Sequence, residues 1–392
     1  MGQQVKFDVS CPRCGRKWDA AYLRDAVELS PFKLPCVPGL HEHRDLGFGP
    51  LPGLFDQSLP DGWGLLLMDR HFRREGMDPA TVSPLSRLAY LGRRTMGALT
   101  YHPCAAEPPA AELDLFALGR NAEEVFAGEA DEVLPQLMRA GGSPGGAQPK
   151  VLVGLGGDAL VTGDGVLPQG YAPWMVKFAA KSDAAYAGPV EYAYALMARA
   201  AGIAMPDTRL FEVGTGRNKR RYFGVERFDR RGARRFHVQS LANLLHANFR
   251  VPSLDYTQLM TVTARLTRNH ADVVAAFRQM VFNVAGHVRD DHGKNFAFFV
   301  DAEQQWRLTP AYDLTFTEGL GGEHSTTVHG EGRQPTVEHC LAVAETAGIT
   351  RRDGQAVLDE VNAAIVRWNE LADEAGCPRA TRREIAGRIG PL

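Results

Sequence analysis

The chain has little cysteine: six residues in 392. That density excludes a disulfide-built secreted scaffold and fits reduced thiols, so a cytoplasmic location is expected. Long apolar runs are missing as well. No stretch of about 18 consecutive apolar residues occurs, so no membrane-spanning helix is expected. The N-terminal stretch has no apolar core of a signal peptide, and Lys6 stands where a Met-Gly myristoylation pattern needs Ser or Thr. Charge of one sign is lacking too. A formal net charge of −2 gives no global attraction to DNA or to anionic lipid. There are no internal repeats. The pair Cys11-Pro12-Arg13-Cys14 has no second CxxC partner. Cys36, His41 and His43 are further candidate ligands, but the spacing from Cys14 is long. A turn with two thiols is therefore expected ahead of a zinc site.

What is present is polar chemistry late in the chain. His287-Val288-Arg289-Asp290-Asp291-His292-Gly293-Lys294-Asn295-Phe296 holds an Asp with an Asn five residues on, and Asp313 of Pro310-Ala311-Tyr312-Asp313-Leu314 lies eighteen residues past that Asn. Phosphoryl transfer needs one carboxylate at the acceptor hydroxyl, and an amide and a second carboxylate on Mg²⁺. Asp290 fills the first role, with Asp291 its rival. Asn295 and Asp313 are the metal ligands. His292 reads as a structural hydrogen-bonding residue rather than a proton carrier.

The preceding chain supplies what these segments lack. Gly141-Gly142-Ser143-Pro144-Gly145-Gly146-Ala147-Gln148 runs into an apolar strand at Lys150–Leu155. Glycines let amides approach an anion closely, so the N–H groups of Gly145, Gly146, Ala147 and Gln148 are expected to cover phosphates. This is no Walker loop, because Gly-Lys-Ser/Thr is absent. Trp174–Phe178 is an apolar strand carrying Lys177. Gly188-Pro189-Val190-Glu191 then opens a helix, with Pro near its first position, and puts Glu191 in reach as an ion-pair partner for Lys177. Strands at Asp207–Val213 and Arg221–Val225 lead to Glu226-Arg227-Phe228-Asp229-Arg230, where the β pattern is expected to give way to helix. An interlobe hinge belongs there, with backbone near Glu226 and Phe228 at an adenine edge. From Gln239 the periodicity is helical. Earlier, Thr95–Tyr101 reads as a closing strand. The turn-rich Leu51–Gly64 reads as a binding surface or a packed cap. Thr315–Gln334, rich in Gly, His and Thr, reads as a mobile substrate-facing loop.

Five segments in this order resemble the HipA family of serine/threonine kinases, toxins of bacterial toxin–antitoxin pairs. They are Ser143–Lys150, Met175–Phe178, Val225–Arg230, Asp290-x-His292-x-x-Asn295-Phe296 and Pro310–Leu314, with Ser58–Gly64 similar to the family's N-terminal subdomain. The resemblance implies an α+β, two-lobed protein-kinase-like fold: residues 1–105 an N-terminal subdomain, 106–226 a mixed N-lobe and 227–392 a mostly helical C-lobe. It implies ATP and Mg²⁺, a protein Ser or Thr as acceptor, and autophosphorylation at Ser143. It also implies a small helix-turn-helix antitoxin (HipB-like) through which DNA is reached indirectly. By the same analogy a translation component such as an aminoacyl-tRNA synthetase is a candidate substrate. The Cys11–Cys14 segment, His287 and Arg289 depart from the family pattern. A small-molecule kinase and an inactive kinase-fold co-repressor are the competing readings.

Overall fold

The computed structural model describes residues 7–8, 17–18, 27–39, 41–45, 47–104, 110–130, 132–141, 145–163, 165–179 and 186–392. Cys11, Cys14 and Ser143 lie outside the described residues.

Two lobes follow from two kinds of apolar pattern. Helix α1 (Gly62–Arg74) precedes α2 (Leu115–Phe126) and α3 (Pro135–Gly141). Asp114 starts α2 by accepting the N–H groups of Phe116 and Ala117. Five antiparallel strands come next: β1 (Lys150–Gly156), β2 (Ala159–Thr162), β3 (Ala172–Lys177), β4 (Thr208–Val213) and β5 (Arg220–Glu226), in the spatial order β2-β1-β3-β5-β4. Val151, Val153, Val176 and Tyr222 of the sheet, and Phe178 just past β3, pack with Leu115, Leu118 and Leu137. Trp63 and Leu67 of α1 enter the same core, so the N-terminal unit shares its apolar packing with the sheet.

Between β3 and β4 runs α4 (Ala187–Ala200), which puts Tyr194 and Met197 into the larger, helical core. A three-stranded antiparallel sheet carries the polar motifs: β6 (Val238–Ser240), β7 (Ala297–Val300) and β8 (Trp306–Leu308), in that order. Around it lie α5 (Leu241–Leu245), α6 (Tyr256–Thr267), α7 (His270–Ala285), α8 (Val337–Thr346), α9 (Arg351–Ile365) and α10 (Trp368–Glu374). A capping box, Asp255 with Gln258, starts α6. Val273, Phe277, Met280 and Val281 of α7 fill the centre. Burying this many large apolar side chains is the main stabilising contribution, at about 1.5–3 kcal/mol each.

Three expectations change. The segment after β5 does not pass straight into helix: a short hairpin, Arg230–Arg231 against Arg234–Arg235, and then β6 intervene. Thr95–Tyr101 is irregular, because arginines rather than a neighbouring strand take its carbonyls. Arg235 donates to Thr95, Gly97 and Leu99, and Arg230 to Thr95 and Gly97. Residues 315–334 are tethered. Arg289 donates to the Gly322 carbonyl, and the Ser325 and Thr326 amides donate to Asp291.

Candidate active site

Lys177 ends β3 and is buried, opposite Lys150 in register on β1. Its ammonium donates to Glu191 of α4 and to Asp313. The strand-to-helix step thus delivers Glu191 behind Lys177, and the segment after β8 delivers Asp313 in front. Burial alone lowers an ammonium pKa, but here Asp313 and Glu191 outweigh it, so Lys177 stays protonated beyond the usual lysine range. The Asp313 carboxyl is pushed up by burial and pulled down further by Lys177 and Lys150, leaving it well below the ordinary carboxylate range. Asp313 has φ +55°, unusual for a residue with a Cβ, while its side chain remains 38 % exposed. It is an ionised group held at a strained position with lone pairs to spare.

The catalytic-type loop follows Gly286 and His287, and two adjacent aspartates there meet opposite fates. Asp291 is buried. Its oxygens accept the Tyr256 hydroxyl at 2.7 Å, His324 Nδ1 at 2.8 Å, and the Ser325 and Thr326 amides at 2.8 and 3.3 Å. Asp290 has a side chain 63 % exposed, with His292 Nε2 3.9 Å from its Oδ1. The backbone of Asp290 is held all the same: its N–H donates to Thr317 Oγ1 at 2.9 Å, and its carbonyl accepts Asn295 Nδ2 at 2.7 Å. Fixed backbone with a free carboxylate is the arrangement a general base requires. The Asn295 amide is oriented by that one bond, and its Oδ1 accepts nothing among the described residues. Asn295 Oδ1 and the Asp313 carboxylate are hard oxygen donors suited to Mg²⁺. His292 packs edge-on against Phe249, ring centroids 5.3 Å apart, with Nδ1 buried and unpartnered among the described residues.

The Gly-rich loop and the hinge are already partly engaged. Gly146 lies at φ +95°, and its N–H donates to Asp61, so that amide is not free to cover a phosphate. Gln148 holds the strand end by donating to the Phe178 carbonyl at 3.2 Å. Lys150 is buried beneath the loop, donating to the Gly145 carbonyl at 2.8 Å, and burial lowers its pKa. At the hinge the Glu226 N–H donates to the Asp207 carbonyl at 2.8 Å, which removes it as an adenine donor. Phe228 lies tilted against Tyr312, centroids 5.9 Å apart. Arg227, Asp229 and Arg230 form a buried ionic cluster behind it. Cys36, His41 and His43 make hydrogen bonds to backbone or to Glu28, and no metal-ligand cluster occurs among the described residues.

Asp61, Lys150 and Lys294 also line this region, and no local sequence pattern marks a role for them. Pro60-Asp61-Gly62 has only the signature of a turn. Lys294 donates to Asp61 at 2.6 Å, 233 residues away in the chain, and no spacing rule reports such a contact.

Comparisons with known proteins bear on the family and the fold. The family model of the HipA-like C-terminal domain matches residues 142–368, and that of the HipA N-terminal domain matches residues 8–102. A protein of Sinorhizobium fredii named "Putative kinase Y4dM" is 25% identical over 288 residues. The match covers 68% of this chain and 62% of the relative, so the chain spans less than two thirds of that protein's length. HipA of Shewanella oneidensis MR-1, solved with HipB and its operator DNA, superposes with a TM-score of 0.69 at 17% identity, covering 98% of this chain and 91% of that one.

Proposed function

The chain belongs to the HipA family, and on that premise we propose that it is a serine/threonine kinase using ATP and Mg²⁺, the toxin half of a toxin–antitoxin pair. One observation carries the reading: Lys177 is buried between Glu191 and the ionised, partly exposed Asp313. A structural ion pair has no use for a second carboxylate left open at a strained backbone position, whereas a triphosphate site does.

In this reading Asp290 orients the acceptor hydroxyl and takes its proton. Asp291 cannot share that role, because its oxygens are committed inside the protein. Asn295 and Asp313 hold Mg²⁺, which when bound neutralises charge on the phosphates. Lys177 holds phosphate oxygens, Glu191 keeps Lys177 in place, and loop amides other than that of Gly146, which Asp61 takes, cover the phosphates. Phe228 and the Glu226 carbonyl side of the hinge border the adenine. The units 1–105, 106–226 and 227–392 act as subdomain, N-lobe and C-lobe. Ser143, two residues ahead of Gly145 in the chain, is the autophosphorylation site; a phosphate there adds about −1.5 to −2 charge to a segment that must face a triphosphate and turns the kinase off. The partner is a HipB-like antitoxin through which DNA is reached, in the cytoplasm. The acceptor is a Ser or Thr of a host protein, a translation component such as an aminoacyl-tRNA synthetase being the first to try.

Intact mass after incubation with Mg·ATP tests the reading on wild type, Asp290→Asn and Ser143→Ala. One added phosphate in wild type only, mapped to Ser143, is the expected result. Phosphate persisting in Ser143→Ala keeps the kinase and removes the switch. ATP that neither binds nor reacts overturns the kinase and favours a co-repressor scaffold.

A further inference from the structure

The N-terminal unit touches the Gly-rich loop through one turn, Asp61-Gly62-Trp63. Asp61 stands at the N-cap position of α1, where an aspartate ordinarily accepts an N–H of the first helical turn. Its side chain makes no such cap. The carboxylate turns away instead: Oδ1 accepts the Gly146 N–H, and Oδ2 accepts Lys294 Nζ at 2.6 Å. The Trp63 N–H donates to the Gly146 carbonyl at 2.9 Å, so Asp61 and Trp63 hold both polar groups of one loop residue. The Trp63 indole adds a bond to the Lys150 carbonyl at 3.0 Å.

The approach is close by construction. Gly62 has φ +46°, and a Cβ there would lie 2.5 Å from the Gly146 carbonyl oxygen. On the far side Lys294 immediately precedes Asn295, and its ammonium sits 4.1 Å from the centre of the Phe249 ring, a cation–π contact that fixes it. Burial raises the Asp61 carboxyl pKa, but Lys294 and the Gly146 N–H outweigh this and hold it below the usual carboxylate range. The carboxylate thus lies between two loops that belong to different lobes, with a partner from each.

We infer that Asp61 is a positioning residue: it clasps the Gly-rich loop to Lys294 of the catalytic loop and sets how closely that loop lies over the cleft. The clasp itself stands on geometry; its consequence for nucleotide binding rests on the kinase reading. The N-terminal unit is then part of the nucleotide site, and Ala147 and Gln148 rather than Gly146 carry the phosphate-covering amides.

The test uses the full chain and the variants Asp61→Ala, Asp61→Asn and Lys294→Met. Hydrogen exchange of residues 145–149 is measured without nucleotide, and Mg·ATP affinity and turnover separately. Asp61→Ala should speed loop exchange by about tenfold while α1 exchanges as in wild type, with Asn and Met intermediate. Apparent ATP affinity should fall by about 5- to 20-fold, with kcat within about threefold. Loop exchange unchanged in Asp61→Ala overturns the proposal. So does exchange that rises equally along α1, which would mean that Asp61 serves the helix alone. Faster loop exchange in a wild-type-like fold that binds no Mg·ATP upholds the clasp and counts against the kinase.

Discussion

Asp229 and Asp313 are both carboxylates held ionised by flanking cations, and they differ in what is left over. Asp229 accepts from Arg227 through two nitrogens at 2.9 and 2.8 Å, from Arg230 at 2.8 Å and from the Gly97 N–H at 2.8 Å. It is buried, and both of its oxygens have protein donors. Asp313 accepts from Lys177 on one oxygen, keeps 38 % of its side chain exposed and sits at φ +55°. A lowered carboxyl pKa is common to the two, so it does not separate them. Lone-pair occupancy does. A carboxylate whose acceptors are all met by protein ties parts of the fold together, here the hinge to the Gly97 turn. One with acceptors open and backbone strain maintained around it is built to bind something else.

The largest effects test that contrast directly. Asp313→Asn should cut phosphoryl transfer by at least about 10³-fold while costing clearly less stability than loss of Asp229, because Lys177 keeps Glu191 as a partner. Asp229→Ala, which strands two buried guanidinium groups, should cost about 3–5 kcal/mol in denaturant unfolding. Equal destabilisation by the two would break the comparison.

The neighbours Asp290 and Asp291 repeat the contrast one residue apart. Asp291→Ala leaves a buried tyrosine hydroxyl, a histidine and two amides unmet, and should cost about 2–3 kcal/mol of stability. Asp290→Asn should change stability by no more than about 0.5 kcal/mol, because the side chain is exposed, yet abolish transfer. Urea midpoints and a single-turnover assay on both variants decide it.

Acid sharpens the same point by a smaller margin. The Asp229 pKa lies below its ordinary 3.8 in the folded state, because Arg227 and Arg230 outweigh the opposing effect of burial. Its contribution is therefore present above the unfolded pKa and is lost as pH falls through that value toward the folded one. At pH 3 the stability gap between wild type and Asp229→Asn should be narrower than at pH 7 by about 1 kcal/mol. A gap that widens on acidification would show that Asp229 is not the charged member of its cluster.

Much of this was legible because it is local. Apolar residues around Lys177 predict a strand, and β3 ends on it. Pro189 predicts a helix start, and α4 begins at Ala187. Strand followed by helix brings Lys177 and Glu191 together with little freedom left, and the structure pairs them. Thr95–Tyr101 reads as a strand from the sequence but is irregular, because the partners of those carbonyls are Arg230 and Arg235, more than 130 residues on.

By itself the sequence determined the order of the polar motifs, whose resemblance to a known family implies the α+β two-lobed class, and the strand of Lys177 and the helix of Glu191, since periodicity and helix starts act over a few residues. Only the tertiary structure decided between Asp290 and Asp291, identical in chemistry and adjacent in the chain. It also committed Gly146 and Glu226 N–H groups to protein partners, and made Asp61, in sequence only part of a turn, a link between two loops. In each case the deciding hydrogen-bond partner comes from a distant segment, and burial, which sets what such a bond is worth, exists only once the chain has folded.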